Sequence, residues 1–248
     1  MKKSTIFYLI PTLGLAVSAV AVVLSIVAGL GTRNEWWIFR TGLSLISTSA
    51  WIALAGAALS LIGGIVVLLV NKRKGLLFGV LGLLIGLVFA AGPLSMLRLA
   101  KRVPPIHDIT TDTVNPPQFV AAMSLRGKDA NTTTYESWHL APIQKKAYPD
   151  IKPLVLSIPA EKAFDHALAV ADDMGWSITE ANREQKRIEA VATTFWMGFK
   201  DDVVIRVTDT ETGSQVDIRS CSRVGRSDLG ANARRIRKFL DKMNALGT

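Results

Sequence analysis

The densest run of groups able to do chemistry is Arg219-Ser220-Cys221-Ser222-Arg223-Val224-Gly225-Arg226-Ser227-Asp228-Leu229-Gly230. It gathers guanidinium groups, hydroxyls and glycines directly ahead of an amphipathic stretch that starts near Ala231. A helix beginning there exposes unpaired backbone N–H groups, which together with Arg219, Ser222, Arg223, Ser227 and Asn232 could hold an anion. The same residues admit a structural use. Ser227 or Asp228 would cap the helix, the glycines would make the turn, and the arginines would pair with Asp201 and Asp202. Asp228 repels an anion unless it is engaged as that cap.

A second cluster, His107-Asp108-Ile109-Thr110-Thr111-Asp112, offers a base, two hydroxyls and carboxylates. The other histidines are His139 and His166, and no two of the three stand at a metal-ligand spacing, so neither a metal centre nor a cofactor is expected. A hydrolytic set of His107, Asp112, Asp201 and Asp202 would require all four to converge, and no G-x-S-x-G nucleophile elbow accompanies them. Cys221 is the sole cysteine, which rules out an intrachain disulfide, and on a strand it reads as a small buried apolar group. His166 falls opposite the apolar stripe of its helix, and the spacing predicts a solvated side chain.

These clusters need a scaffold, and periodicity supplies one from Pro153 onward. Leu154–Ile158 reads as a strand; Pro159 suits a helix start, Ala163, Phe164, Ala167, Leu168, Ala171 and Met174 share one helical face, and Gly175 stops it. Strands follow at Trp176–Glu180, Arg187–Phe195, Val203–Thr208 and Ser214–Ser222, then a helix over Ala231–Leu246. A two-residue loop at Glu211-Thr212 sets Ile205 opposite Ile218, Val207 opposite Val216 and, on the other face, Arg206 opposite Asp217 as an ion pair. The order implies an α/β (α+β) domain, a mainly antiparallel sheet with two helices packed on one face. Residues 104–152 are Pro-rich and read as an extended linker and subdomain, with an exposed loop at Arg126–Glu136, ahead of the 153–248 core.

Ahead of Val103 the composition changes. Ile6–Leu30, Leu43–Val70 and Leu76–Leu97 contain no Asp, Glu, Lys or Arg, and each is long enough to cross a hydrocarbon core of ~30 Å. Residues 1–103 therefore read as a three-helix transmembrane anchor, helices at about 6–30, 43–70 and 76–97. The first stretch far exceeds the roughly 7–15 residues of a signal-peptide core. Small residues recur at helical spacing (Ala21, Ser25, Gly29; Gly56, Ser60, Gly64; Gly75, Gly79, Gly82, Gly86), which predicts close packing of the three helices, and Trp51 is expected to pack too.

This part holds ten of the 29 Lys and Arg and one of the 20 acids, so the whole formal excess of +9 belongs to it and the rest is neutral. Charges that flank apolar spans set topology, so the excess argues for a lipid bilayer partner and against nucleic acid. Lys2, Lys3 and the Asn71–Lys74 loop favour a cytoplasmic N-terminus and an extracytoplasmic C-terminal domain, while Arg98, Lys101 and Arg102 pull the other way.

The chain resembles a family of bacterial and plastid proteins known as domain of unknown function number 1499. The resemblance rests on HDITTD (107–112), PPQF (116–119), YPDIKPL (148–154), GW (175–176), RIEA (187–190), GFKDDVVIRV (198–207) and VDIRSCSRVGRSDLGANARRIRKFL (216–240). It implies an envelope-associated or membrane-anchored module with no established enzymatic activity, in which the 219–230 segment and the Thr110-Thr111-Asp112 segment share one domain and one surface. With the featureless spans and the charge-neutral domain, the expectation is a membrane-anchored binding or scaffolding module of the bacterial inner membrane and envelope, its C-terminal domain periplasmic. Its expected partners are the bilayer and an envelope protein or an anionic ligand. The alternatives are recognition of an anionic lipid head group or phosphorylated ligand at residues 219–230, and hydrolysis by the His107 set.

Overall fold

A computed structural model describes residues 3–71 and 75–247, without the side chains of residues 3–6. The charges of Lys2, Lys3, Lys72, Arg73 and Lys74, on which the orientation rests, lie outside the described residues. The chain divides into two compact units. One holds the residues up to Leu99 together with Phe195–Gly198, the other Ala100–Thr194 and Phe199 onward.

The first unit is built on three helices, α1 (Lys3–Arg33), α2 (Phe39–Leu69) and α3 (Leu76–Ala100). Phe7–Arg33, Phe39–Leu69 and Leu76–Ala100 are each long and apolar enough to span a membrane. Small residues let the backbones approach. A Cβ built on Gly86 would lie 2.5 Å from the Ala53 carbonyl oxygen, and one on Gly79 would lie 3.0 Å from the Gly64 Cα. The Ser18 hydroxyl donates to the Gly82 carbonyl at 2.8 Å, and Ser25 and Ser49 share a hydrogen bond of 2.7 Å. Both pairs are buried, where hydroxyls need such partners. Trp51, expected to pack, is 69 % exposed. The buried stripe of α2 runs through Ala50, Ala53 and Ala57, and Trp51 is turned about 100° away from Ala50.

The second unit is an antiparallel sheet in the order β1-β6-β5-β4-β3, with β2 also on β6. In chain order it runs β1 (Asp108–Thr110), α4 (Ala121–Leu125), α5 (Ser137–Ala147), β2 (Leu154–Leu156), α6 (Ala160–Asp173), β3 (Ser177–Asn182), β4 (Arg187–Thr193), β5 (Lys200–Thr210), β6 (Gly213–Ser222) and α7 (Ala231–Leu246). The fold is α+β. The register of β5 with β6 is Ile205↔Ile218, Arg206↔Asp217 and Val207↔Val216, as the two-residue turn requires, and Arg206 reaches Asp217 at 3.0 Å.

Alternation gives the sheet two unlike faces. Ile188, Ala190, Val203, Ile205, Val216 and Ile218 form the apolar face, on which α6 (Ala163, Phe164, Ala167) and α7 (Ile236, Phe239, Met243) close the core. The opposite face carries Arg187, Glu189, Asp202, Arg206, Asp217 and Arg219 in register.

The Pro-rich segment is not a separate linker: residues 104–152 lie within this unit, and β1, α4 and α5 come from them. Helix α5 accommodates Pro142 because Leu140 and Gln144 anchor its inner side, at 5 % and 1 % exposure. The Arg126–Glu136 segment is a loop with Gly127, Lys128, Asp129, Thr132, Thr134 and Glu136 exposed, as expected, but two of its residues turn inward. The side chain of Arg126 is drawn in by Asp202 and Tyr135 is buried. His166, expected in solvent, is half-buried, and its Nδ1 is enclosed without a hydrogen-bond partner.

Candidate functional site

The two polar clusters of the sequence meet. Strand β1 pairs with the end of β6, placing Asp108 opposite Cys221, Ile109 opposite Ser220 and Thr110 opposite Arg219. At their centre Arg219 is fully buried. Its Nε donates to Asp108 Oδ1 at 3.0 Å and its Nη2 to Oδ2 at 2.6 Å, a bidentate pair. Nη1 donates to the Pro117 carbonyl and Nη2 also to the Thr133 carbonyl, at 3.2 and 2.7 Å. Its guanidinium carbon lies 4.8 Å from the Phe119 ring centroid and 5.4 Å from that of Tyr135. Cation–π attraction in such a desolvated place offsets part of the burial penalty.

The neighbouring groups are engaged in the same way. Asp202, wholly buried, accepts from Arg126 Nε and from Arg223 Nη2, each at 2.7 Å. Thr111 donates to Asp217 at 3.0 Å and accepts from the Ile218 N–H at 3.0 Å. Asp112 accepts from the Val114 and Asn115 N–H groups at 2.9 Å each, closing a turn, and from Arg206 at 3.1 Å. The Gln144 side chain imitates a strand: its Oε1 accepts from the Thr110 N–H at 3.1 Å and its Nε2 donates to the Thr110 carbonyl at 2.6 Å. Glu189 accepts the N–H groups of Val120, Ala121 and Ala122 at 2.7–3.1 Å, clamping the start of α4.

On the apolar side of the sheet a smaller polar knot ties α7 to β6. Asn232 donates from Nδ2 to the His107 carbonyl at 2.9 Å and to Ser222 Oγ at 3.0 Å, while its Oδ1 accepts from Ser220 Oγ at 2.7 Å. Arg235 reaches Asp201 at 2.6 Å. Asp228 caps the helix, accepting from the Asn232 N–H at 2.7 Å and the Gly230 N–H at 2.8 Å, and Ser227 Oγ accepts from the Leu229 N–H at 3.3 Å.

Adjacent in sequence, Asp201 and Asp202 thus point to opposite faces and serve different arginines. The structure brings Arg219, Thr110, Thr111, Asp112, Asp202 and Arg223 to the polar face, and Ser222, Asn232, Ser227, Asp228 and Asp201 to the α7 side. It does not assemble His107, Asp112, Asp201 and Asp202 as one set. Among the described residues no three His, Cys, Asp or Glu side chains converge as metal ligands. Cys221 is buried, and burial together with the nearby Asp108 pushes its thiol up to about 12.

Sequence reasoning passed over Arg126, Gln144 and Glu189 as partners. The signal for Glu189 was present, a lone carboxylate amid Ile188, Ala190, Val191 and Ala192 that a strand could bury only against donors.

Removing one member of the central pair should expose how much hangs on it. Arg219→Met leaves the Asp108 carboxylate buried without its partner, a change expected to cost about 3–5 kcal/mol. The double change Arg219→Met with Asp108→Leu should recover most of that loss in urea unfolding of the full chain. A single variant as stable as the parent would contradict this reading.

Asp228 gives a pH signature. Burial raises its carboxyl above the ordinary 3.8, against the lowering effect of the Asn232 and Gly230 N–H donors. The folded chain therefore keeps the proton where the unfolded chain has lost it, and the stability linked to Asp228 falls as pH rises through that window. In a pH series of thermal unfolding, Asp228→Asn should gain on the parent as pH climbs above the ordinary carboxyl range. A pH-independent difference would sink the assignment.

The sequence of the second unit can be compared with known proteins. No curated protein matches the chain. The model of the family described as "Protein of unknown function (DUF1499)" matches residues 108–243, from the first residue of β1 into the last helix, and so takes in the whole sheet, the Arg219–Asp108 pair and the helix cap. Matching more than half of the chain, it shows that this protein belongs to the DUF1499 family.

Proposed function

We propose that the protein is a membrane-anchored binding or scaffolding module of the bacterial inner membrane, its C-terminal domain on the periplasmic side. The observation that carries the binding role is the presentation of α4. Glu189 holds the first three N–H groups of the segment rigidly, while Val120, Met123 and Leu125 stay 46–56 % exposed. Apolar side chains fixed in solvent by a buried clamp are a feature of docking surfaces. The partner class that fits is another envelope protein.

The geometry weakens the anionic-ligand alternative at residues 219–230. Arg219 and Arg223 are committed to Asp108 and Asp202, and Asp228 stands at the helix start. Only Arg226, exposed and without an ion partner among the described residues, remains for an incoming anion. The side of the membrane rests on Lys2, Lys3 and the Lys72-Arg73-Lys74 loop, which favour the cytoplasm for the N-terminus.

An alkaline phosphatase fusion after Thr248 should be active in a bacterial host and a green fluorescent protein fusion at the same place dark; the reverse pattern overturns the assigned side. A photo-crosslinking amino acid at Met123 should yield a discrete protein adduct in cells, while the same group at Glu211 in the β5–β6 turn should not. Equal yields at both positions would remove the docking role of α4.

A further inference from the structure

The hairpin between β4 and β5 ends in a sequence unlike any other turn of the domain: Thr194-Phe195-Trp196-Met197-Gly198-Phe199. Its base is well fixed. Thr193 pairs with Lys200, the Thr194 N–H donates to the Phe199 carbonyl at 2.8 Å, and the Phe199 N–H donates to Thr194 Oγ1 at 2.8 Å. Gly198 adopts φ +68°, a conformation glycine takes without a Cβ penalty, and this turns the chain back. A rigid base thus carries a tip of three large apolar residues. Phe195 is 95 % exposed and Trp196 38 %, while Met197 is buried. In water an isolated phenylalanine held out this far gains nothing, and soluble hairpins place Gly, Asn or Asp at such tips.

Chain connectivity says which medium is near. Ala192 pairs with Asp201, Asp201 with Ser222, and the Ser222 N–H donates to the His107 carbonyl, so the tip and the start of β1 lie at the same end of the sheet. Ile106, next to that start, is 1 % exposed and seated in the core. It follows the last residue of α3, Ala100, by six residues, a tether of at most about 21 Å fully extended. Phe195–Gly198 themselves belong to the compact unit of the three apolar helices. Trp and Phe are the side chains that partition into the head-group region of a bilayer, Trp with its ring N–H still wet.

We propose that the β4–β5 tip is a membrane-inserting element: Phe195 and Trp196 enter the interfacial layer of the bilayer that holds the three spans. The occupant is lipid, not a second protein. The tip is separate from α4 and does not depend on the docking role given to that helix.

The test uses the full chain reconstituted in phosphatidylcholine vesicles, with Phe195→Cys carrying an environment-sensitive NBD fluorophore. Phe195 is so exposed that its replacement leaves the fold's contacts in place, and buried Cys221, its thiol pushed up to about 12, stays unlabelled; the parent chain serves as the labelling blank. The label at 195 should show blue-shifted emission, lose most of it to lipids bearing a nitroxide near the head group, and resist aqueous iodide. The same label at Glu211→Cys, at the opposite end of the sheet, should show the reverse. Iodide quenching at 195 equal to that at 211 overturns the proposal. So does a label at 195 shielded from both quenchers, since that would mean a protein surface covers the tip.

Discussion

The polar face of the domain depends on one buried ion pair. A guanidinium and a carboxylate taken wholly out of water cost several kcal/mol each, and the loss is offset only when the geometry is good and further hydrogen bonds satisfy the remaining donors. Arg219 has four of its five N–H groups in hydrogen bonds: Asp108 takes two in bidentate geometry, the Pro117 and Thr133 carbonyls take one each, and two aromatic rings lie over it. Those partners come from both ends of the segment that crosses the sheet between β1 and α5. The demand of one arginine for satisfied donors thus holds down a stretch with little regular structure of its own. The Glu189 clamp and the Arg126–Asp202 pair fasten the middle of the same segment.

A sheet with an apolar face and an ion-paired face uses alternation in an uncommon way. Usually the polar side of an antiparallel sheet is solvated. Here it is covered, and the charges persist because each finds a partner across the strands or in the cover. The period of two explains why neighbours diverge: Asp201 faces α7 and holds it through Arg235, whereas Asp202 faces the cover and holds it through Arg126 and Arg223. One dipeptide therefore fastens both layers to the sheet, and the same alternation keeps the two carboxylates from acting together on a substrate.

How much of this could be read in the sequence follows from how local each cause is. The register of β5 with β6, the boundaries of α7 and the apolar stripe of α6 are set by period, turn length and caps within about 20 residues, and all were legible. The three long apolar helices were legible because length and apolarity decide them. Helix α5 was not, since Pro142 argues against it locally and the reason it forms is the Gln144 contact with Thr110, 34 positions away in the chain. The arginines of residues 219–230 looked available because a sequence does not say which carboxylate will face them. Asp108, 111 positions from Arg219, meets it only through the pairing of β1 with β6. Trp51 failed for a related reason: a helix that is apolar all round gives no local sign of which side faces its neighbours.

The same network limits where recognition can occur. An anion entering beside Arg219 or Arg223 would have to displace Asp108 or Asp202, each at most 1 % exposed, and strand a carboxylate in the interior. That penalty, about 3–5 kcal/mol, consumes most of what a charge-assisted contact returns. A ligand therefore gains more from groups the fold leaves outside the network. These are the exposed apolar residues at α4, held by the Glu189 carboxylate, and the aromatic tip of the β4–β5 hairpin, held by the Thr194–Phe199 hydrogen bonds. The residues richest in chemistry serve as fasteners, which is why a motif-led reading looks for function at the arginines and meets structure there.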